Sequence, residues 1–191
     1  MGSKLIFGVG VNDAGYTLEK VVNGKRVICP YYSRWRDMLK RCYSKKYLKS
    51  KPSYNGCAVC EEWLTFSNFK AWMETQDWQG KELDKDLLVK GNKLYSAETC
   101  VFLHPLINGF LRDSVKSEGG LMSGVCWHKG AGKFMAQCCD AENGKRVYLG
   151  LFDSEIEAHE AWKRKKRELA CIVALSQKDV RVSNSLNSRY L

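Results

Sequence analysis

The sequence predicts an α+β fold, with short antiparallel strands and separate helices along one chain, on three observations. Asn-Gly pairs stand between apolar-rich runs at positions 23–24 and 143–144, and both residue types tolerate the positive φ of a tight hairpin turn. Two stretches, "YYSRWRDMLKRCY" and "VCEEWLTFSNFKAWM", repeat large apolar residues every three or four positions, the period of a helix with one buried face. Between residues 81 and 111 the pattern reads strand, turn, strand, helix. The 191 residues, 45% hydrophobic, suffice for one or two compact cores.

Residues 1–53 form the first part, a hairpin followed by a basic helix. Asn23-Gly24 closes the hairpin, and beyond Pro30 the spacing of Trp35, Met38, Leu39 and Cys42 gives an amphipathic helix with Arg34, Lys40 and Arg41 on its other faces. From position 34 to 51 eight Lys or Arg face the single acid Asp37, interleaved with Tyr43 and Tyr47. Such a run is either a solvated face or a surface for phosphate contact. Arg34, Lys40 and Arg41 are the candidates for that contact.

Residues 54–118 form the second part. Trp63, Phe66, Phe69 and Trp72 or Met73 make a stripe at helical spacing, read as core. "KELDKDLLV" alternates as a strand, "KGNKLYS" turns the chain, "CVFL" is a second strand or the helix entry, and "HPLINGFL" starts a helix with Pro105 in its first turn. The product is a ββα unit.

On those residues the segment resembles the HNH (ββα-metal) endonucleases, especially the homing-type nucleases that phages carry. In that family a strand ends in an Asp-His pair, a polar residue sits in the loop before the helix, and a His or Asn on the helix completes the site. Asp84-Lys85-Asp86 falls at the strand end, Thr99 at the loop position and Asn108 at the helix position. The resemblance implies a divalent cation such as Mg²⁺ on Asp84 and the side-chain oxygen of Asn108, since hard cations take oxygen ligands. It also implies an imidazole base where this chain has Lys85, and a charged ammonium cannot accept a proton. Three residues are candidates for the missing role. Lys85 would be a desolvated base or a transition-state cation. Asp86, on the same strand face as Asp84, would be a second ligand or base, and His104, one helical turn before Asn108, would supply the imidazole. The plain alternative makes Asp84 and Asp86 turn residues, Asn108 a helix cap and His104 a solvated helix-start residue.

The nine cysteines are odd in number and form no regular framework, which suits a reducing compartment. Cys57-x-x-Cys60 with Cys100 and His104 has spacing that zinc accepts. The other reading is buried free thiols, because Cys60 opens an apolar stripe and Cys100 lies inside "CVFL".

Residues 119–175 form the third part, with three short strands and a helix announced by Asp153-Ser154. Gly124-Val125, Lys133-Phe134-x-Ala136, Leu149-Gly150-x-Phe152, Glu157-Ala158 and Ala161 closely resemble the ethylene-response-factor type of DNA-binding domain. That resemblance implies a three-stranded antiparallel sheet packed on one helix, with the outer sheet face in the major groove of double-stranded DNA. Strand alternation sends Phe134, Ala136 and Cys138 toward the helix and Lys133, Met135, Gln137 and Cys139 outward with Tyr148 and Arg146. Trp127, His128 and Lys129 are expected to join them. The run "KRKKR" at 163–167 reads as solvated, and residues 176–191 as a C-terminal tail.

Lys plus Arg number 31 against 21 Asp plus Glu, a net charge of +10, which favours a polyanionic partner. No stretch approaches the roughly 18 apolar residues of a membrane span, and the N-terminus lacks a signal peptide's apolar region. The Met-Gly-x-x-x-Ser/Thr myristoylation form is met only in part, since Ile6 occupies its last place. The expectation is a cytoplasmic, phage-encoded protein acting on double-stranded DNA without a membrane. Its function is metal-dependent phosphodiester hydrolysis, or else that of an inactive relative that binds DNA or takes over host processes.

Overall fold

A computed structural model describes residues 5–112 and 120–191. The first four residues, on which the lipidation reading falls, and residues 113–119, which hold the expected boundary between the second and third parts, lie outside the described residues. The chain divides into two compact units, Met1–Phe102 and Leu103–Leu191. The strands and turn of the expected ββα unit thus belong to the first unit and its helix to the second.

The first unit carries the hairpin β1 (Glu19–Val22) and β2 (Lys25–Ile28). Asn23 and Gly24 take φ of 50° and 73°, the left-handed pair that the turn requires. Helix α1 (Pro30–Tyr43) starts on Pro30, whose missing N–H is no loss in a first turn. A short helix α2 (Lys45–Ser50) is capped by the Ser44 hydroxyl, which accepts from the Tyr47 N–H at 3.4 Å. Strand β3 (Ala58–Val59), a 3₁₀ turn at Glu62–Leu64 and helix α3 (Phe66–Glu74) follow, then β4 (Glu82–Asp84), β5 (Leu94–Tyr95) and β6 (Val101–Leu103). β3 pairs in parallel with β5, and β4 pairs with β6, the strand on which the unit ends.

Its core gathers the two periodic stripes read from the sequence. Tyr32, Trp35, Met38 and Leu39 of α1 meet Trp63, Phe66, Phe69 and Met73. The Trp35 ring lies 5.5 Å from Phe66, and its indole N–H donates to the Trp63 carbonyl at 2.7 Å. Each such aromatic, fully buried, contributes about 1.5–3 kcal/mol, and the bonded N–H removes the cost of hiding a polar group.

In the second unit, helix α4 (Pro105–Phe110) precedes β7 (Val125–His128), β8 (Lys133–Cys139) and β9 (Arg146–Phe152), which pair antiparallel in that order. Helix α5 (Glu155–Leu175) starts at a capping box in which the Ser154 hydroxyl accepts from the Glu157 N–H and the Glu157 carboxylate accepts from the Ser154 N–H. It packs on the face formed by Val125, Phe134, Ala136, Leu149 and Phe152 through Ala158 and Ala161. Gly124 enters β7 with φ of 78°, and a Cβ there would stand 1.9 Å from the Trp162 ring; only glycine fits the conformation and the space.

Two stretches depart from the sequence reading. Residues 176–191 hold a helix, α6 (Val180–Ser188), that buries Val182 and Leu186, with Tyr190 buried just beyond. In the run 163–167, Lys166 is only 3% exposed; its Nζ donates to the Phe110 carbonyl and lies 3.7 Å from the centroid of the Phe110 ring. No helix among the described residues is long and apolar enough to cross a membrane.

Candidate functional site

The expected strand through residue 89 stops at Asp84. The Asp84 Oδ1 accepts from the backbone N–H of Asp86 at 2.9 Å and of Leu87 at 2.8 Å, an Asx turn that takes those donors from any ladder. Asp86 therefore lies past the strand end, not on the strand face beside Asp84. Burial lifts the Asp84 carboxyl above its ordinary range, and the two amide bonds only partly offset this.

Lys85 is buried, at 5% exposure. Its ammonium donates to the Asp86 Oδ1 at 2.6 Å and to the Asn92 carbonyl at 2.8 Å, and stands 5.9 Å from the Tyr95 ring centroid. An ammonium so engaged holds a loop and offers no lone pair for proton abstraction.

The loop has two further clasps. Asn92 Nδ2 donates to the carbonyls of Lys85 (2.9 Å) and Leu94 (2.6 Å), while its Oδ1 accepts from the Leu94 N–H (3.0 Å). Thr99 Oγ1 donates to the Leu94 carbonyl at 2.7 Å. Sequence reading missed Asn92; the signal was an amide directly after Gly91 in a turn, where side-chain bonds to neighbouring backbone are common. Thr99, expected at the family's loop position, is bonded to backbone.

The basic helix α1 is used inward more than its composition suggests. Arg34 Nη2 donates to the Lys81 carbonyl at 2.9 Å, and Arg41 Nη1 reaches the Leu83 carbonyl at 3.5 Å beside the Tyr54 ring. Burial opposes the Arg41 charge, yet the phenols of Tyr95 and Tyr54 hold its pKa above the ordinary value. Lys40 remains exposed, 5.4 Å from the Tyr47 ring centroid.

Cys57, Cys60 and Cys100 are free thiols. Burial pushes the Cys100 thiol up to about 12, which disfavours the thiolate that zinc requires. Among the described residues no group of three or more His, Cys, Asp or Glu is placed to hold a metal ion.

In the second unit His104 is the N-cap of α4, its Nδ1 accepting from the Leu106 N–H at 3.3 Å. Asn108 lies one turn on, its backbone N–H bonded to the His104 carbonyl at 3.0 Å, so the two share a helix face.

The sheet register settles which side chains share a face. Met135 is paired with Cys126 and Leu151, Gln137 with Tyr148, Cys139 with Arg146, and Lys133 with His128. These nine residues form the face away from α5, and no Asp or Glu is among them. Trp127 is paired with Phe134 and meets its ring at 4.9 Å, which puts it on the opposite face from Met135 and Gln137. Lys129 follows the end of β7 in an exposed turn. Lys133 is held by Asp153 at 2.9 Å. A bulge between Ala136 and Gln137 shifts the register so that Tyr148, 61% exposed, stands opposite Gln137. Comparison with protein-family models, curated proteins and solved structures returns no match.

Proposed function

We propose that the chain binds double-stranded DNA through the outer face of β7, β8 and β9 and hydrolyses phosphodiester bonds with a divalent metal, as an HNH-like endonuclease of phage type. The observation that carries the DNA reading is the outer face itself. It presents Lys133, His128, Arg146, Gln137 and Tyr148 with no carboxylate among its strand residues, Asp153 just beyond β9 pairing with Lys133 alone, on a chain of net charge +10. Cations supply phosphate contacts there, while Gln137 and the phenol of Tyr148 are side chains that read base edges.

Hydrolysis rests on Asp84, a carboxylate at a strand end, and Asn108 of the other unit is the further ligand that the resemblance implies. Carboxylate oxygen suits a hard cation, and bound Mg²⁺ would stabilise charge on the scissile phosphate. The two amide bonds fix the Asp84 Oδ1, so the carboxylate keeps one orientation at the strand end. Asp86 is a poorer ligand, because the Lys85 ammonium at 2.6 Å already neutralises it. His104 is exposed and carries the role of base.

One observation favours a second reading, a DNA-binding relative without catalysis. The position where the resemblance calls for imidazole is filled by the Lys85 ammonium, bonded on two sides. Supercoiled plasmid incubated with the full chain and Mg²⁺ or Mn²⁺ separates the two: nicking that EDTA abolishes supports the enzyme. An inert wild type that still binds duplex supports the second reading.

A further inference from the structure

The outer face of β7, β8 and β9 carries an apolar row across its middle. Met135 of β8 is paired with Cys126 of β7 on one side and with Leu151 of β9 on the other. The bulge builds this row. Leu151 and Tyr148 stand three residues apart on β9, and strict alternation would send them to opposite faces; the irregularity beside Ala136 and Gln137 brings Leu151 opposite Met135 and Tyr148 opposite Gln137. Leu151 is 36% exposed and Met135 half-buried. Polar rows flank them, His128 with Lys133 toward one end, and Gln137 with Tyr148, then Cys139 with Arg146, toward the other. The Gln137 Nε2 reaches the Cys126 Sγ at 3.8 Å. Sulfur is a weak acceptor, so the carboxamide lies beside the row and exchanges that partner at little cost.

We propose that this row meets the 5-methyl group of thymine in the major groove, with Gln137 reading adenine beside it, so that the face selects DNA by its A·T pairs. The thymine methyl is the apolar feature that the major groove displays, and a carboxamide matches the N6 and N7 of adenine through two hydrogen bonds. The spacing agrees. Met135 and Gln137 are two residues apart, about 6.8 Å along a strand, and bases rise about 3.4 Å each along the duplex, so the two side chains address positions about two steps apart. Three apolar side chains between polar rows cannot bury the roughly 800 Å² per partner of a stable protein interface. Arg146 at the end of the face suits a phosphate backbone instead. 5-Methylcytosine carries the same methyl group, and the carboxamide of Gln137 is what assigns the row to A·T pairs. The inference deepens the DNA-binding reading and rests on it.

The full chain first selects sites from a random-sequence duplex pool with EDTA present. Fluorescence anisotropy then measures the selected duplex with each thymine replaced in turn by uracil, which lacks only the methyl group, and with each cytosine replaced by 5-methylcytosine. Uracil at one or more positions is expected to weaken binding about fourfold, the effect of one buried methyl group. Met135→Ala is expected to bind the thymine and uracil duplexes equally, which ties the methyl to that side chain. Leu151→Ala, at an exposed position, is expected to shrink the same difference, and urea unfolding checks that both variants are folded. Uracil duplexes that all bind as the thymine duplex does overturn the inference and leave the sheet-face reading standing. A selected pool in which thymine is not enriched does the same, as does a uracil loss that both variants retain in full. If 5-methylcytosine strengthens binding as much as thymine does over uracil, the row takes methylcytosine and its assignment to A·T pairs is wrong. A wild type with no affinity for duplex overturns the sheet-face reading and this inference together.

Discussion

Replacing Lys85 with Met removes one ammonium and leaves a stem of similar length, so it isolates what the charge does. The ammonium has two bonded acceptors of different worth. The Asp86 side chain is 55% exposed against 6% for Lys85, so that carboxylate regains water when the partner is lost, and the pair contributes about 0–1 kcal/mol. The Asn92 carbonyl belongs to the clasped loop, and a hydrogen bond from a charged donor contributes about 1.5–3 kcal/mol. The sum is about 1.5–4 kcal/mol of lost stability, larger than the roughly 0.5 kcal/mol of an ordinary surface change. Urea unfolding followed by tryptophan fluorescence measures it; with a slope of about 2 kcal/mol/M the midpoint falls by about 0.8–2 M. A loss below about 0.5 kcal/mol would mean that Lys85 is no structural latch.

Gly124→Ala combines positive φ with a Cβ 1.9 Å from Trp162, and backbone strain plus overpacking is expected to destabilise the fold by about 2–5 kcal/mol in urea unfolding. Gln137→Ala and Tyr148→Ala are expected to reduce discrimination between duplex sequences in competition binding more than Lys133→Ala, whose ammonium is already tied to Asp153. The Asp84 carboxyl is raised by burial, so the folded chain holds that proton more tightly than the unfolded chain. Its contribution to stability is greatest in acid and declines as pH rises from the ordinary carboxylate value through the folded one. Asp84→Asn removes that decline, so the variant is expected to exceed wild type in stability at neutral pH and to match it in acid, by unfolding across pH.

The parts of the fold that sequence foretold are those fixed by local chemistry. Asn23-Gly24 set a turn, the spacing of Trp35, Met38, Leu39 and Cys42 set the buried face of α1, and Ser154 with Glu157 set the start of α5. What escaped were features decided by tertiary partners. Lys166 sits in a run of five cations and is buried because Phe110, Trp162 and Tyr190 offer ring faces to its ammonium. Val182, Leu186 and Tyr190 keep helical spacing, but the Ser and Asn between them hid α6. In the candidate site, Asp84 and Lys85 stood out as residues, yet their bonds to Leu87, Asp86 and Asn92 depend on a loop path that no periodicity encodes. Arg34 and Arg41 counted as surface charge, and only the position of the Lys81 and Leu83 carbonyls turns them inward.

In the proposed function one carboxylate, Asp84, separates DNA hydrolysis from DNA binding. The direct measurement compares wild type and Asp84→Asn side by side on the same duplex, for cleavage with Mg²⁺ or Mn²⁺ and for binding with EDTA. Wild type is expected to cleave, the variant to lose a factor of about 10² or more as transition-state stabilisation disappears, and the two duplex affinities to lie within about twofold of each other. Cleavage by Asp84→Asn at the wild-type rate, or none by wild type under any metal condition, would contradict the proposed function.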